Sequence, residues 1–214
     1  MEAGVRFDAN IVRRYDVPGP RYTSYPTAPH FSESITEADY HRAALESNGD
    51  PIPRQLSIYV HVPFCESPCF YCGCTRIITR DRSAGQRYLS RLQRELELQA
   101  RLFDRDRIVD QLHFGGGTPT FLSDAELTEL MGFMRHGFTL QNDDTREFSI
   151  EVDPRTVDES RLASMAALGF NRISFGVQDF DPEVQQAVHR VQPFEQVQAL
   201  MQSAREIGFA VVAT

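Results

Sequence analysis

From residue 55 onward, short runs rich in β-branched and aromatic residues alternate with amphipathic stretches. QLSIYVHV (55–62), RIVDQLHF (107–114), EFSIEV (147–152), RISFGV (172–177) and FAVVAT (209–214) read as strands. The stretches between them carry apolar residues at helical spacing. A helix over roughly 84–102 aligns Tyr88, Leu92, Leu96 and Gln99 on one face. The next starts at Ser123, with Glu126 three positions on as a capping box, and Leu127, Leu130, Met131 and Met134 form its stripe. A third lies near 159–168, followed by Gly169 as a C′ residue. Asp181-Pro182 caps and opens a short helix, and another over 193–207 ends at Gly208. Five βα units in series predict an α/β fold with a parallel sheet wrapped by helices. Right-handed crossovers allow a doubly wound open sheet or a full or partial (β/α) barrel.

Either fold binds ligands beyond the C-terminal ends of its strands. The unusual residues gather at that rim. A cysteine cluster follows the first strand, Gly115–Gly117 follow the second, Glu151 ends the third and Gln178 ends the fourth.

Residues 1–54 lack this pattern and read as an irregular extension before a core over 55–214. Their stretch PGPRYTSYPTAPHF (18–31) predicts an extended arm, because proline fixes φ and removes a donor. Residues 36–47 predict one short helix. At the other end, the apolar strand 209–214 stops without a cover, so the chain reads as part of a longer protein.

Composition is that of a globular protein, 41% hydrophobic and 24% charged. No apolar run is long enough to span a membrane and the N-terminus lacks a signal-peptide core, so a cytoplasmic protein is expected. The net charge of −8 argues against general nucleic-acid binding, which needs a basic face.

All four cysteines fall between Cys65 and Cys74. Such a cluster cannot staple distant segments and points to metal or redox chemistry. Cys65, Cys69 and Cys72 follow a C-x3-C-x2-C spacing and supply three thiolates from one loop, the soft ligands of iron–sulfur clusters. Three ligands for a four-iron cluster leave one iron open to a substrate or cofactor. Cys74, two residues from Cys72, is poorly placed for a separate corner. A zinc site that recruits His61 and a redox dithiol remain alternatives, and metal analysis separates them from a cluster.

The loop resembles that of the radical S-adenosylmethionine (SAM) superfamily. IYVHVPFC (58–65), CFYCGC (69–74), LHFGGGTPT (112–120), SIEVDPR (149–155), NRISFGVQDF (171–180) and the arm PGPRYTSYPTA (18–28) further resemble the oxygen-independent coproporphyrinogen III oxidase family. The resemblance runs from about residue 12 to the end of the chain. It implies a partial (β/α) barrel, incomplete here after its fifth strand. It also implies a [4Fe–4S] cluster on Cys65, Cys69 and Cys72 and two molecules of SAM.

Of the cofactor-binding residues, Tyr59, Gly116 and Glu151 match positions on the first SAM. Gly117, Thr118, Gln178 and Arg190 match positions on or near the second. Tyr71 stands where the family usually has Phe, and its ring is expected to pack against the cluster or cofactor. Thr75 stands where Asn is expected. Read without the resemblance, each of these residues has a plainer role: GGG as a tight turn, Tyr59 as core, Arg190 as a surface residue, Glu151 as a strand-end charge.

The implied reaction is oxidative decarboxylation of two propionates of coproporphyrinogen III to vinyl groups, giving protoporphyrinogen IX in heme biosynthesis. A 5′-deoxyadenosyl radical derived from SAM abstracts hydrogen, and no protein residue is required as a catalytic base. Implied partners are the tetrapyrrole, an electron donor of flavodoxin or ferredoxin type and an electron acceptor, the enzyme acting as a monomer. Arg13, Arg14 and Arg21 are candidates for the propionates, which suit bidentate guanidinium contacts. A heme chaperone on the same scaffold is the alternative. The CGC element and the arm count against it, and tight heme binding without CO2 release would favour it.

The family's next cofactor-binding position is an Asp just beyond residue 214. The 214-residue chain by itself is therefore expected to lack decarboxylase activity, and a turnover assay on it checks this: measurable CO2 release would refute the expectation.

Overall fold

The computed structural model describes residues 8–16, 30–52 and 54–213. The chain divides into two compact units, Met1–Tyr40 and His41–Thr214. In the first, helix α1 (Ala9–Tyr15) is capped by Asp8, whose carboxylate accepts from the Asn10 and Ile11 amides. The sequence pattern did not reveal this helix, because seven residues without a buried stripe carry no periodic signal. The arm at 18–28 lies outside the described residues. Helix α2 (Glu37–Asn48) stands where the short helix was expected.

The second unit carries the parallel sheet. Its strands are β1 (Leu56–Val62), β4 (Ile108–Gly116), β6 (Glu147–Val152), β7 (Arg172–Phe175) and β8 (Ala210–Ala213). They neighbour one another in that order, every pair is parallel, and the two-residue strand β5 (Thr139–Leu140) pairs with the start of β4. Strand order follows chain order with no reversal. This is the progression of a (β/α) barrel and not of a doubly wound sheet, which reverses at a switch point. The partial barrel anticipated from the sequence is the fold observed.

Helices α3 (Ser83–Ala100), α4 (Asp124–Gly137), α5 (Glu159–Ala167) and α7 (Phe194–Ile207) cover one face. That face presents Val60, Val62, Leu112, Phe114, Ile150, Val152, Ile173 and Phe175, all buried in one continuous core with Leu89, Leu127, Leu130, Met134, Leu162 and Val197 of the helices. Strands of a fully covered parallel sheet are usually apolar on both faces. Here the pleat alternates instead. The opposite face carries Tyr59, His61, His113, Ser149, Glu151 and Ser174, and none of these is fully buried. An apolar outer face and a polar inner face mark the concave side as a ligand surface.

Local chemistry sets the helix ends. The Ser123 hydroxyl accepts from the Glu126 amide while the Glu126 carboxylate accepts from the Ser123 amide, the reciprocal capping box. Asp158 and Asp181 cap α5 and α6 (Pro182–Ala187) through side-chain oxygens. Gly208 closes α7 at φ 109°, in the left-handed region where glycine carries no steric penalty.

Two expectations need correction. The inward stripe of α3 is Ala84, Gly85, Leu89, Leu92 and Leu96. Leu89 is the buried residue, whereas Tyr88 is half-buried and donates its hydroxyl to the His61 carbonyl at 2.7 Å. Second, β4 does not end at Phe114. It continues through Gly115 and Gly116, which pair with His61 and Val62.

Replacing Ser123 by Ala should remove the N-cap of α4 and cost about 1 kcal/mol of unfolding free energy. Urea denaturation should show a lower midpoint with an unchanged slope.

Candidate functional site

The segment after β1 forms a closed loop. Strand β2 (Phe64–Cys65) pairs with β3 (Ile77–Ile78), the Ile77 amide donates to Pro63 O at 2.7 Å, and the Thr79 amide donates to Cys65 O at 2.9 Å. Residues 66–76 are thus tied at their base. Glu66 forms an ion pair with Arg82, whose other arm donates to Phe121 O. The far side docks on the end of α6. The Phe70 amide donates to Val188 O at 2.9 Å, and His189 Nδ1 donates to Pro68 O at 2.9 Å. His189 holds this position at φ 57°, a conformation uncommon for a residue with a Cβ.

Glycines bring the loop onto the sheet. The amides of Gly117 and Thr118 donate to Val62 O and Phe64 O, both at 2.8 Å. A Cβ on Gly117 would lie 2.7 Å from Phe64 O and 2.8 Å from Pro63 O, so it would strike backbone that cannot rotate away. Gly116 lies at φ 114°, and a Cβ there would be 2.7 Å from Val62 O.

Cys65, Cys69 and Cys72 line a cavity of about 230 Å³ together with Arg76, Asp153 and Arg155. Cys69 is buried, Cys65 and Cys72 are half-buried and Cys74 is exposed. Cys74 lies outside this cavity, with its amide directed at Cys72 Sγ at 3.4 Å. Burial pushes the Cys65 thiol up to about 11, reinforced by Cys72 and Asp153, while Arg76 and Arg190 pull it down. Among the described residues no three His, Cys, Asp or Glu side chains are placed to hold a single metal ion. His61 is not directed at the cysteines: Nε2 donates to Thr75 O at 2.9 Å, which leaves Nδ1 to accept from the Tyr59 hydroxyl at 3.0 Å.

A second cavity of about 370 Å³ adjoins the first. Of the predicted residues, Tyr71, Gly116, Gly117, Thr118, Glu151, Gln178 and Arg190 line it, with Cys69, Cys72 and Cys74 at its border. Tyr59 lies just outside, on the inner face, where its ring stacks on His113 at 5.6 Å. The eleven residues singled out from the sequence therefore meet in one region at the C-terminal rim.

Glu151 has the partners that a half-buried carboxylate needs. It accepts from the Gly116 amide at 3.2 Å and lies 3.3 Å from His113 Nε2, and His113 in turn bonds Ser149 through Nδ1. The His113 hydrogen bond lowers the Glu151 pKa, and the Gly116 amide adds to this against the opposing effect of burial. Gln178 adopts φ 68°, a strained backbone at the mouth of the cavity. Arg190 is not the surface residue that its position suggests. Only 13% of its side chain is exposed, and it donates to Gly176 O at 2.7 Å. Gln192, fully buried, receives its Nε at 3.3 Å and is itself held by Gln185.

Four participants escaped the sequence reading: Arg76, His113, Asp153 and Arg155. Asp153 joins both cavities and pairs bidentately with Arg155, with Oδ2 to NH2 at 2.6 Å, while Arg190 NH2 stands 3.7 Å away. Burial works against ionisation of Asp153, but the Arg155 hydrogen bonds and the two guanidinium charges prevail and hold its pKa below the ordinary value. His113 had a usable signal, since it shares the pleat face of Gly115 one strand from Glu151. Arg76 had none.

The family model of the radical SAM superfamily matches residues 59–214. The chain belongs to the radical SAM superfamily, and membership implies a [4Fe–4S] cluster and S-adenosylmethionine. Its similar proteins are more particular. The chain is 49% identical to the oxygen-independent coproporphyrinogen III oxidase of Pseudomonas aeruginosa over 205 residues, 96% of this chain and 44% of that protein. It is 46% identical to the Escherichia coli enzyme of the same name, over 96% of this chain and 43% of that one. The solved structure of E. coli coproporphyrinogen III oxidase, described as a radical SAM enzyme, superposes with a TM-score of 0.82 at 42% identity, covering 98% of this chain and 45% of that one. The chain spans less than half the length of these relatives.

Replacing Asp153 by Ala should leave Arg155 and Arg190 without their shared carboxylate and cost about 3 kcal/mol at neutral pH. The folded Asp153 pKa is depressed, so its contribution is present above the unfolded value near 3.9 and is lost as pH falls through the folded value. Urea unfolding of wild type and variant should therefore draw together as pH falls below the unfolded Asp value.

Proposed function

We propose that this chain is the cofactor-binding part of an oxygen-independent coproporphyrinogen III oxidase, a cytoplasmic enzyme of heme biosynthesis. The observation that carries the reading is the adjacency of two cavities: one lined by Cys65, Cys69 and Cys72, the other by Gly116, Glu151, Gln178 and Arg190. Similarity to the named oxidases across nearly the whole chain supports the substrate.

The donor set fits an iron–sulfur cluster. Three thiols face one cavity, Cys74 does not, and a three-cysteine cluster keeps one iron for an exogenous ligand. Binding requires the thiols to lose their protons, including the raised thiol of Cys65, so loading should be favoured at higher pH. When bound, the cluster and SAM supply a one-electron reductant and a source of a carbon radical.

This chain's own residues bind, orient and exclude. Gly116 and Gly117 line the second cavity beside the cysteine loop and offer backbone there to a ligand's polar head. Glu151, held ionised by His113, offers an acceptor to an ammonium group. Arg190, fixed by Gly176 and Gln192, and Gln178 line the same cavity and, with Gly117 and Thr118, are the candidates for a second SAM. Tyr71 lines the second cavity next to Cys72. The tetrapyrrole is expected to enter from the open rim. Arg13 and Arg14 lie on α1 in the first unit, and Arg21 lies outside the described residues. An external one-electron donor completes the partners.

The test is anaerobic reconstitution with iron and sulfide, followed by spectra with and without SAM. The cluster chromophore should form, change on adding SAM, survive Cys74→Ser and disappear in Cys65→Ser. A chromophore that depends on Cys74 as much as on Cys65, or that is blind to SAM, would overturn the site assignment. Decarboxylation is tested on the full-length protein by CO2 release from coproporphyrinogen III.

A further inference from the structure

Arg76 stands out among the charged groups of the cysteine cavity. Its NH1 donates to Cys72 O at 3.0 Å and to Cys74 O at 3.3 Å, which anchors the guanidinium across the last two cysteines of the loop. Its Nε is buried and has no hydrogen-bond partner among the described residues. A buried N–H without an acceptor is costly, about 1–3 kcal/mol, unless something supplies one.

The other ions around this cavity each have an opposite charge within reach. Arg155 is bidentate to Asp153, Arg190 shares the same carboxylate, and Glu66 is paired with Arg82. No carboxylate pairs with Arg76 among the described residues. Arg76 therefore brings an uncompensated positive charge to the wall that the three cysteines share.

We propose that Arg76 is the counter-charge of the iron–sulfur cluster and holds its reduction potential up. The inference rests on the cluster reading above and assigns a role to a residue outside the ligand set. Adding an electron makes a thiolate-bound cluster more negative. A fixed cation in a half-buried, low-dielectric wall stabilises that reduced form more than the oxidised form. The unpartnered Nε–H is a donor that a cluster sulfur can satisfy, in the way that outer-shell hydrogen bonds tune metal sites. Among the described residues Arg76 makes no hydrogen bond or ion pair to the strand-end glycines or to Glu151, so it acts through the cluster and is a positioning and tuning residue, not a catalytic one.

Arg76→Gln retains hydrogen-bonding capacity without charge, and Arg76→Lys retains the charge without the planar fork. Full-length wild type and both variants would be reconstituted anaerobically, and the electron paramagnetic resonance signal of the reduced cluster followed during a dithionite titration. At a fixed potential, the reduced-to-oxidised ratio should fall about tenfold in Arg76→Gln, a shift of about 59 mV for a one-electron couple. In Arg76→Lys it should stay within about twofold of wild type. Equal potentials in wild type and Arg76→Gln, at equal iron and sulfide content, would overturn the proposal. If Arg76→Gln does not load, Arg76→Lys decides: a wild-type potential supports the charge role and a tenfold drop overturns it. Failure of wild type itself to form a cluster would overturn the underlying reading instead.

Discussion

A contact that admits no side chain organises this molecule. Gly116 and Gly117 run so close to the carbonyls of Val62, Pro63 and Phe64 that a single Cβ would come within 2.7 Å of backbone oxygen. The amides of Gly117 and Thr118 use that closeness to donate to Val62 and Phe64. The ladder between β1 and β4 thereby continues past the strand ends and carries the cysteine loop with it. Everything in the candidate site follows from this clasp. The loop lies over the rim because the glycines hold its stem, and Glu151 faces the loop because Gly116 donates to it.

The polar inner face of the sheet is the second consequence. A parallel strand covered on both sides gains most from apolar residues throughout. β1, β4, β6 and β7 instead spend alternate positions on Tyr59, His113, Ser149, Glu151 and Ser174. The outer face still supplies a continuous core with the helices, so the fold does not depend on the inner one for its stability. The concave face is left to bind and orient. Its charges are arranged in pairs that share partners, as with Asp153 between Arg155 and Arg190, and this ties the walls of the two cavities to one another.

Rigid anchoring recurs wherever the loop meets the body. His189 and Gln178 both accept left-handed backbone conformations that cost about 1 kcal/mol or more each. Each sits at the border of the site. The first bonds Pro68 in the loop and the second enters the cavity that Arg190 lines. Strain at these two positions, the described non-glycine residues at positive φ, fits a scaffold that gives up some stability to place a few side chains.

By itself the sequence determined what depends on neighbours along the chain. Period-two and helical patterns located the strands and helices of the second unit, Ser123 and Glu126 located a capping box, and the cysteine spacing placed three thiols on one loop. Each is a relation over a few residues, enforced by covalent geometry. Chain order of the βα units, joined to the family resemblance, also anticipated the partial barrel. Tertiary structure decided the rest. It extended β4 into the glycines and withdrew Arg190 from the surface into a network with Gln192. It also brought Arg76, His113, Asp153 and Arg155 to the site. Arg76 lies within the cysteine loop itself, but His113 meets Glu151, 38 residues away, and Asp153 meets Arg190 only because distant segments are placed side by side. Their pairing is a matter of pleat direction and burial, which no local spacing encodes.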